Sequence, residues 1–427
     1  MFIQRSRRSS LWKRWSKPWQ RIDPFVFGIP IVLTLLGGLL IRSTELHQGW
    51  ADWSQHWVIG AIGTVIALVF ARLDYKLLLS FHWVIYGLTC LSLLAVKFVG
   101  TSALGAQRWI TIAGFNVQPS EFAKLGLIIS LAALLHHRPA SSVISTLRTL
   151  AITVIPWGLV FAQPDLGTAL VFGAITLGML YWGNAHGGWI ILMLSPLVSG
   201  ILLNIPLPFG ASIGLWIVWT IAMGLVAWLT LPNPVLSTIL SVSVNLSAGA
   251  LGHILWGLLH DYQRDRLILF LDPDKDPLGG GYHLIQSRIA IGAGQLWGKG
   301  LNHGTQTQLN FIPEQHTDFI FSAVGEEFGF IGCFLLMVGF WLLCVRLIKV
   351  ANATQDSFGS LLCLGVFSML VFQVAINVGM TIGLAPVTGI PLPWLSYGRS
   401  ALLTNFMAIG LVESVANQTK PRKSSYS

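Results

Sequence analysis

Twelve runs of mainly apolar residues dominate this chain, at roughly 25–41, 57–73, 77–98, 121–136, 148–162, 167–183, 189–205, 213–230, 235–259, 319–343, 358–380 and 398–416. A helix needs about 20 such residues to cross a bilayer. Within a bilayer, only helices or closed barrels keep every backbone polar group paired. Runs of this length and number therefore point to an all-α fold, a polytopic transmembrane helical bundle of about 12 spanning helices. The charge content agrees. Asp, Glu, Lys and Arg make up 10% of the residues, against about 25% in soluble domains. That shortage excludes a soluble enzyme, a nucleic-acid-binding module and a disordered scaffold, despite a net charge of +9. Cys90, Cys333, Cys344 and Cys363 lie apart in apolar runs, so neither a disulfide framework nor a zinc site is expected.

The cations orient the chain. Placing the N-terminus in the cytoplasm and alternating the spans puts Arg72, Lys76, Arg138, Arg148, Arg346 and Lys349 on the cytoplasmic side. The basic, Trp-rich residues 1–24 and the basic tail 417–427 join them there, as the positive-inside rule requires. Residues 1–24 suit an interfacial segment on an anionic leaflet or a disordered topogenic tail. They do not read as a cleaved signal, because no small-residue cleavage site follows the first apolar run. Both termini are then cytoplasmic, and a long extracytoplasmic loop covers residues 260–318. Chemistry is expected there first, because loops longer than about 15 residues in a compact protein are usually functional.

Charges at membrane depth cost at least ~2.5–3.5 kcal/mol each, so they tend to be paired or functional. Glu121 and Lys124 sit at i, i+3 after Pro119 and Ser120, a spacing that places both on one face of a starting helix. They read either as an ion pair near the interface or as the charged floor of a cavity. Arg108 offers a planar pair of donors suited to phosphate, and Trp109 can stack on a sugar or join the aromatic belt. Asp165 reads as a helix cap. Gly292, Gly294, Gly298 and Gly300 alternate around Trp297 and Lys299, which implies backbone packed close to something. Asp318 lies where the polar loop re-enters the apolar phase. Partial desolvation there makes a carboxylate a better general base, although a helix-cap role fits the same position. His316 can orient it or titrate. Glu326 and Glu327 read as buried partners of external cations.

Several strings, in order, resemble the shape, elongation, division and sporulation (SEDS) family. They are Gly105-Ala-Gln-Arg-Trp, Gln118-Pro-Ser-Glu-Phe-Ala-Lys, Gln163-Pro-Asp-Leu-Gly-Thr, Gly281-Tyr-His-Leu-Ile-Gln, Phe311-Ile-Pro-Glu-Gln-His-Thr-Asp-Phe and Pro391-Leu-Pro-Trp-Leu-Ser-Tyr-Gly. The resemblance runs from about residue 25 to 416, within a single transmembrane domain, and is closer to the elongation branch (RodA) than to the division branch (FtsW). It implies a peptidoglycan glycosyltransferase of the bacterial cytoplasmic membrane that polymerises lipid II at the outer face. It also implies a class B penicillin-binding protein as transpeptidase partner, together with other elongation-complex membrane proteins.

The family's essential aspartate maps to Asp318, as catalytic base. Arg108, Trp109, Glu121, Lys124, Arg264, Arg266, Gln286, Lys299, His316, Ser396, Tyr397 and Arg399 are the substrate-binding candidates. Lipid II is an α-linked glycosyl diphosphate and the product is β-1,4 linked. One inverting displacement therefore suffices, with one base and positive charge for the departing undecaprenyl diphosphate. A divalent cation, Mg or Mn, can share that charge, although no dedicated metal cage is visible. Two departures stand out: three apolar runs within residues 184–259 where the family has one, and Arg399 where the family has Gly. The alternatives outside this chemistry are a lipid-linked precursor flippase and a non-catalytic scaffold of the elongation complex.

Overall fold

The structure, a computed structural model, describes residues 22–46, 52–103, 106–112, 114–204, 211–258, 275–276, 281–309 and 311–419. All twelve apolar runs are helices: α1 Pro24–Glu45, α2 Asp52–Phe70, α3 Lys76–Val99, α4 Pro119–His137, α5 Val143–Phe161, α6 Leu166–Trp182, α7 Gly187–Asn204, α8 Ala211–Thr230 and α9 Pro234–Leu258, followed by α12 Ile320–Ala353, α13 Ser357–Ile382 and α14 Arg399–Gln418. Ten are long and apolar enough to cross a membrane; α6, at 17 residues, and α14 are the two that fall outside those limits. Between α3 and α4 lies a three-stranded antiparallel sheet, β1 Thr101–Ala103, β2 Ala106–Ile112 and β3 Phe115–Val117, in the order β1-β2-β3.

The expected loop at 260–318 lies between α9 and α12. Its described part is folded into α10 Tyr282–Ala293 and the single turn α11 Thr305–Gln308. The segment 1–21, and Arg264 and Arg266 within the loop, lie outside the described residues.

The core sits around α4, which is buried along almost its whole length and packs on α3, α6, α13 and α14. The helix ends follow local chemistry. Asp23, Ser142, Asp165 and Asp356 cap α1, α5, α6 and α13 by accepting first-turn N–H groups. Proline opens α1 and α4, where its missing N–H costs nothing. α2 and α14 cross with backbones nearly touching: a Cβ on Gly410 would lie 2.5 Å from Ala67 O. Small residues at such crossings let helix backbones approach, the main source of packing energy between helices in lipid.

α7, α8 and α9 pack chiefly on one another and join the rest mainly through α6. Their interior is polar. Asn245 Nδ2 donates to Ser195 Oγ at 3.0 Å, Ser199 Oγ to Asn245 O at 2.6 Å and Trp216 Nε1 to Ser199 Oγ at 2.8 Å. Hydrogen bonds replace the hydrophobic effect as the cement of such a cluster, because lipid is as apolar as the side chains.

Gly410→Ala should lower the thermal midpoint in detergent, with an overpacking cost of about 1–3 kcal/mol, because the clash is with backbone. Gly158→Ala in α5 should leave the midpoint unchanged or raised, since a Cβ there meets nothing within 4 Å.

Candidate active site

Four helices begin or turn at one end of the bundle, and a cavity of about 630 Å³ opens between them. Its walls come from β2 (Arg108, Trp109), the start of α4 (Glu121, Lys124), the start of α6 (Asp165, Thr168), the turn before α12 (Glu314, Thr317, Asp318), the 388–391 segment, and the start of α14 (Tyr397 to Ala401).

Each wall is tied to the next by polar bonds. Asp165 is buried, at 5% exposed, and its carboxylate faces the neighbouring helix start. It accepts from Gln118 Nε2 at 3.2 Å, Ser120 Oγ at 3.3 Å, Thr168 N at 3.2 Å and Thr168 Oγ1 at 3.0 Å. Arg108 Nη2 donates to Pro164 O, so the hairpin is fastened to the same corner. Gln118 N donates to Ser400 Oγ at 2.9 Å, joining α4 to α14. Below them Lys124 Nζ stands 2.7 Å from both carboxylate oxygens of Glu121, with both residues buried. Both readings of this pair hold together: it is a neutral ion pair, and it forms the floor of a cavity.

Asp318 is half-buried in a turn built on Glu314 O, which accepts from Thr317 N, Asp318 N and Phe319 N. Asn377 Nδ2 of α13 donates to Asp318 O at 2.9 Å and to Ile390 O at 2.8 Å, holding the turn against the 388–391 segment. Gly389 has φ +73°, and a Cβ there would lie 3.3 Å from Asp318 Oδ2. Glycine thus supplies both the left-handed turn and the open space beside the carboxylate.

Opposite, Tyr397 N donates to His316 O at 2.8 Å, and the two rings lie 5.8 Å apart. Tyr397 OH donates to Gln55 Oε1 at 3.2 Å and accepts from Arg399 Nε at 3.1 Å. The Arg399 guanidinium lies 5.7 Å from the centre of the Phe115 ring. Both Arg108 and Arg399 line the cavity, and neither is ion-paired with a carboxylate among the described residues.

Burial lowers the His316 imidazole below its ordinary value, against the opposing pull of Glu314 and Asp52. Burial thus favours the neutral imidazole. Burial likewise raises Tyr397, against Arg399, so its hydroxyl stays protonated.

Of the sequence candidates, Arg108, Trp109, Glu121, Lys124, Asp318, Tyr397 and Arg399 line this one cavity. Lys299 does not; its ammonium is 2.9 Å from the buried Glu326, as expected for that acid. Gln286 lies on α10 away from the lining. Ser396 is buried inside the turn before α14, where Oγ accepts from Leu392 N at 2.8 Å. His316 stands behind Tyr397 rather than in the wall. Sequence reasoning missed the wider role of Asp165, and it missed Asn377, Gly389 and Ser400. Asn377 carried a legible signal, an amide inside an apolar run. Gly389 and Ser400 carried none.

Among the described residues, no group of three or more His, Cys, Asp or Glu is placed to hold a metal ion. Asp165 is committed to its hydrogen bonds, leaving Glu314 as the exposed carboxylate on the wall besides Asp318. That donor set fits an ion shared with substrate phosphates, as Mg is commonly held, and does not fit a resident cage.

A family model described as cell cycle protein, FtsW/RodA/SpoVE, matches residues 24–209 and 209–421. The chain is 35% identical over 407 residues to the peptidoglycan glycosyltransferase MrdB of Escherichia coli K12, covering 94% of this chain and 96% of that one. It is 32% identical over 418 residues to the peptidoglycan glycosyltransferase RodA of Treponema pallidum, covering 90% and 95%. Among solved structures, a chain from a peptidoglycan synthase complex, described as coordinating polymerization and crosslinking, superposes with a TM-score of 0.68 at 28% identity, over 92% of this chain and 97% of that one. The rod shape determining protein RodA of Thermus thermophilus shares the fold, with a TM-score of 0.59 at 24% identity over 94% and 98%.

Two outcomes test the electrostatics. Lys124→Met leaves Glu121 buried without its partner and should cost about 3–5 kcal/mol of stability, whereas the double variant Glu121→Gln/Lys124→Met should recover most of it. A double-mutant cycle on thermal unfolding measures this. For His316, both folded and unfolded states are neutral well above pH 6.5. As pH falls through about 6.5 the unfolded chain takes up the proton first. The stability of the wild type relative to His316→Gln should therefore be flat above pH 7 and fall below about pH 6.5.

Proposed function

The chain belongs to the FtsW/RodA/SpoVE family, and we infer that it is a peptidoglycan glycosyltransferase of a multi-pass membrane protein type, with the cavity as its active site. Its substrate is lipid II, which it polymerises into β-1,4 glycan strands during cell elongation. The observation that carries this reading is that Asp318 lines a single cavity at the bundle's end together with Arg108 and Arg399, neither of which is ion-paired with a carboxylate among the described residues. An inverting glycosyl transfer from a lipid diphosphate needs that set and nothing covalent.

Asp318 takes the proton from the acceptor 4-hydroxyl as that oxygen bonds to the donor's anomeric carbon. The bond from that carbon to the diphosphate breaks, and the electron pair leaves with undecaprenyl diphosphate. Arg108 and Arg399 hold the phosphates, and their positions are preset by Pro164 O and Tyr397 OH. Preset charge is worth most where it develops in the transition state. Lys124 is neutralised by Glu121 and serves to shape the floor. Trp109 and Tyr397 supply flat faces for sugar. A divalent cation entering with the substrate near Glu314 would neutralise part of the diphosphate charge.

The cavity end of the bundle is assigned to the outside of the bacterial cytoplasmic membrane. Arg72, Lys76, Arg138, Arg346 and Lys349 collect at the other ends of the helices, which supports cytoplasmic termini. A class B penicillin-binding protein is the proposed transpeptidase partner, alongside other elongation-complex membrane proteins. The buried Glu121–Lys124 pair favours a second reading, transport of the lipid-linked precursor. Against it, the charged groups of the cavity gather at helix ends rather than at midspan.

Purified protein with its transpeptidase partner should polymerise labelled lipid II in detergent or liposomes. Asp318→Asn should abolish polymer while keeping the wild-type unfolding midpoint, and Arg108→Ala should lower kcat by about 10²–10³. Full polymerisation by Asp318→Asn removes the assignment of the base. Lipid II scrambling in liposomes without glycan formation favours transport instead.

A further inference from the structure

The alternating glycines before Asp318 take no part in the cavity. They meet α12 where it is broken, at Gly329, whose φ of 64° and ψ of −162° lie outside the helical range. A break of this kind frees backbone groups that apolar surroundings cannot satisfy. Residues 294–300 satisfy them. Phe330 N donates to Gln295 O at 2.8 Å and Ile331 N to Leu296 O at 3.1 Å, while Lys299 N and Gly300 N donate to Glu326 O and Glu327 O, both at 2.9 Å. The two backbones touch. A Cβ on Gly294 would overlap Gly325 O and one on Gly298 would overlap Glu327 O, which is why glycine stands at both positions.

Two helices measure the depth of this junction. Asp23, the cap of α1, meets Arg346 of α12 at 3.7 Å. Further along the same pair of helices, Ser43 Oγ donates to Glu327 Oε1. The two levels are about twenty residues apart along each helix, roughly 30 Å, the thickness of the hydrocarbon core. Glu327 therefore marks the hydrocarbon edge at the cavity end. Phe330, Ile331 and the loop residues bonded to them lie just inside it. At that level Leu296 is 61% exposed, Trp297 79% and Phe330 63%. Large apolar side chains exposed there face lipid, and Trp is the residue enriched at this boundary.

We propose that residues 294–300 form a re-entrant anchor whose Leu296–Trp297 tip inserts into the lipid leaflet on the cavity side. Its partner is the boundary between head groups and acyl chains. Lys299, the cation of this loop, is neutralised by Glu326 at 2.9 Å, so insertion is apolar and needs neither anionic lipid nor low salt. Because the same loop completes the break in α12, lipid contact sets the depth of the first part of that helix. Asp318, two residues before α12, is set with it. The inference goes beyond the polymerase reading and rests only on α1 and α12 spanning the membrane.

The test uses the full chain with Cys90, Cys333, Cys344 and Cys363 replaced by Ala, in nanodiscs of zwitterionic lipid. A nitroxide is attached through Trp297→Cys and, separately, through Leu296→Cys, which leaves the tryptophan in place. Collisions with oxygen and with a water-soluble nickel chelate are compared with Phe334→Cys on the span and with the exposed His303→Cys. Both tip sites should exclude nickel nearly as well as the Phe334 site, at a depth of about 5–10 Å, unchanged by salt. Nickel access equal to that at the His303 site overturns the proposal. So does exclusion that appears only with anionic lipid or only after a partner protein is added.

Discussion

The Asp165 carboxylate is the fixed point of the cavity end of the bundle. A buried carboxylate is tolerated only when its lone pairs are filled, and four bonds from Gln118, Ser120 and Thr168 fill them. Those bonds bring the entry to α4 and the start of α6 to one corner, and Arg108 fastens the hairpin to the carbonyl next door. From α4 the chain of ties continues through Ser400 to α14. Losing the carboxylate would leave the starts of α4 and α6 without their common partner at the cavity wall.

Membrane physics explains why the site sits at helix ends. A cavity for charged phosphates cannot open at midspan without exposing uncompensated charge to lipid. At the ends, capping groups, turns and short strands can present polar atoms while the spans below stay sealed. The Glu121–Lys124 pair lies at the limit of this zone and is neutral for that reason. The broken α12 follows the same rule. Its freed backbone groups are bonded by a loop rather than left in lipid.

The amount legible in the sequence followed the range of the interactions involved. The twelve helices could be read because a span is decided by the length of a local apolar run. The Glu121–Lys124 pairing could be read because i, i+3 on a helix is a local geometry. Asp165 was legible as a cap and not as a corner-post, because its other partners lie more than forty residues away. Lys299 read as a phosphate ligand because its charge was visible and its partner Glu326 was not tied to it by any spacing. Within the long loop before Asp318, α10 was not legible because the segment is polar; its buried face packs on α12 and α13.

By itself, the sequence determined a membrane bundle, the order of its spans, the family strings and the acid at the loop's return to the apolar phase. All of these depend on composition within a few helical turns. Only the tertiary structure decided which of the described cations share a cavity with that acid. It placed Arg108 and Arg399 in the wall and withdrew Lys299. It also put Gly389 beside the Asp318 carboxylate and Asn377 behind its backbone. Those outcomes depend on which helices become neighbours. In a bilayer that choice is made by close backbone approach and buried polar bonds between distant segments, and no local pattern encodes them.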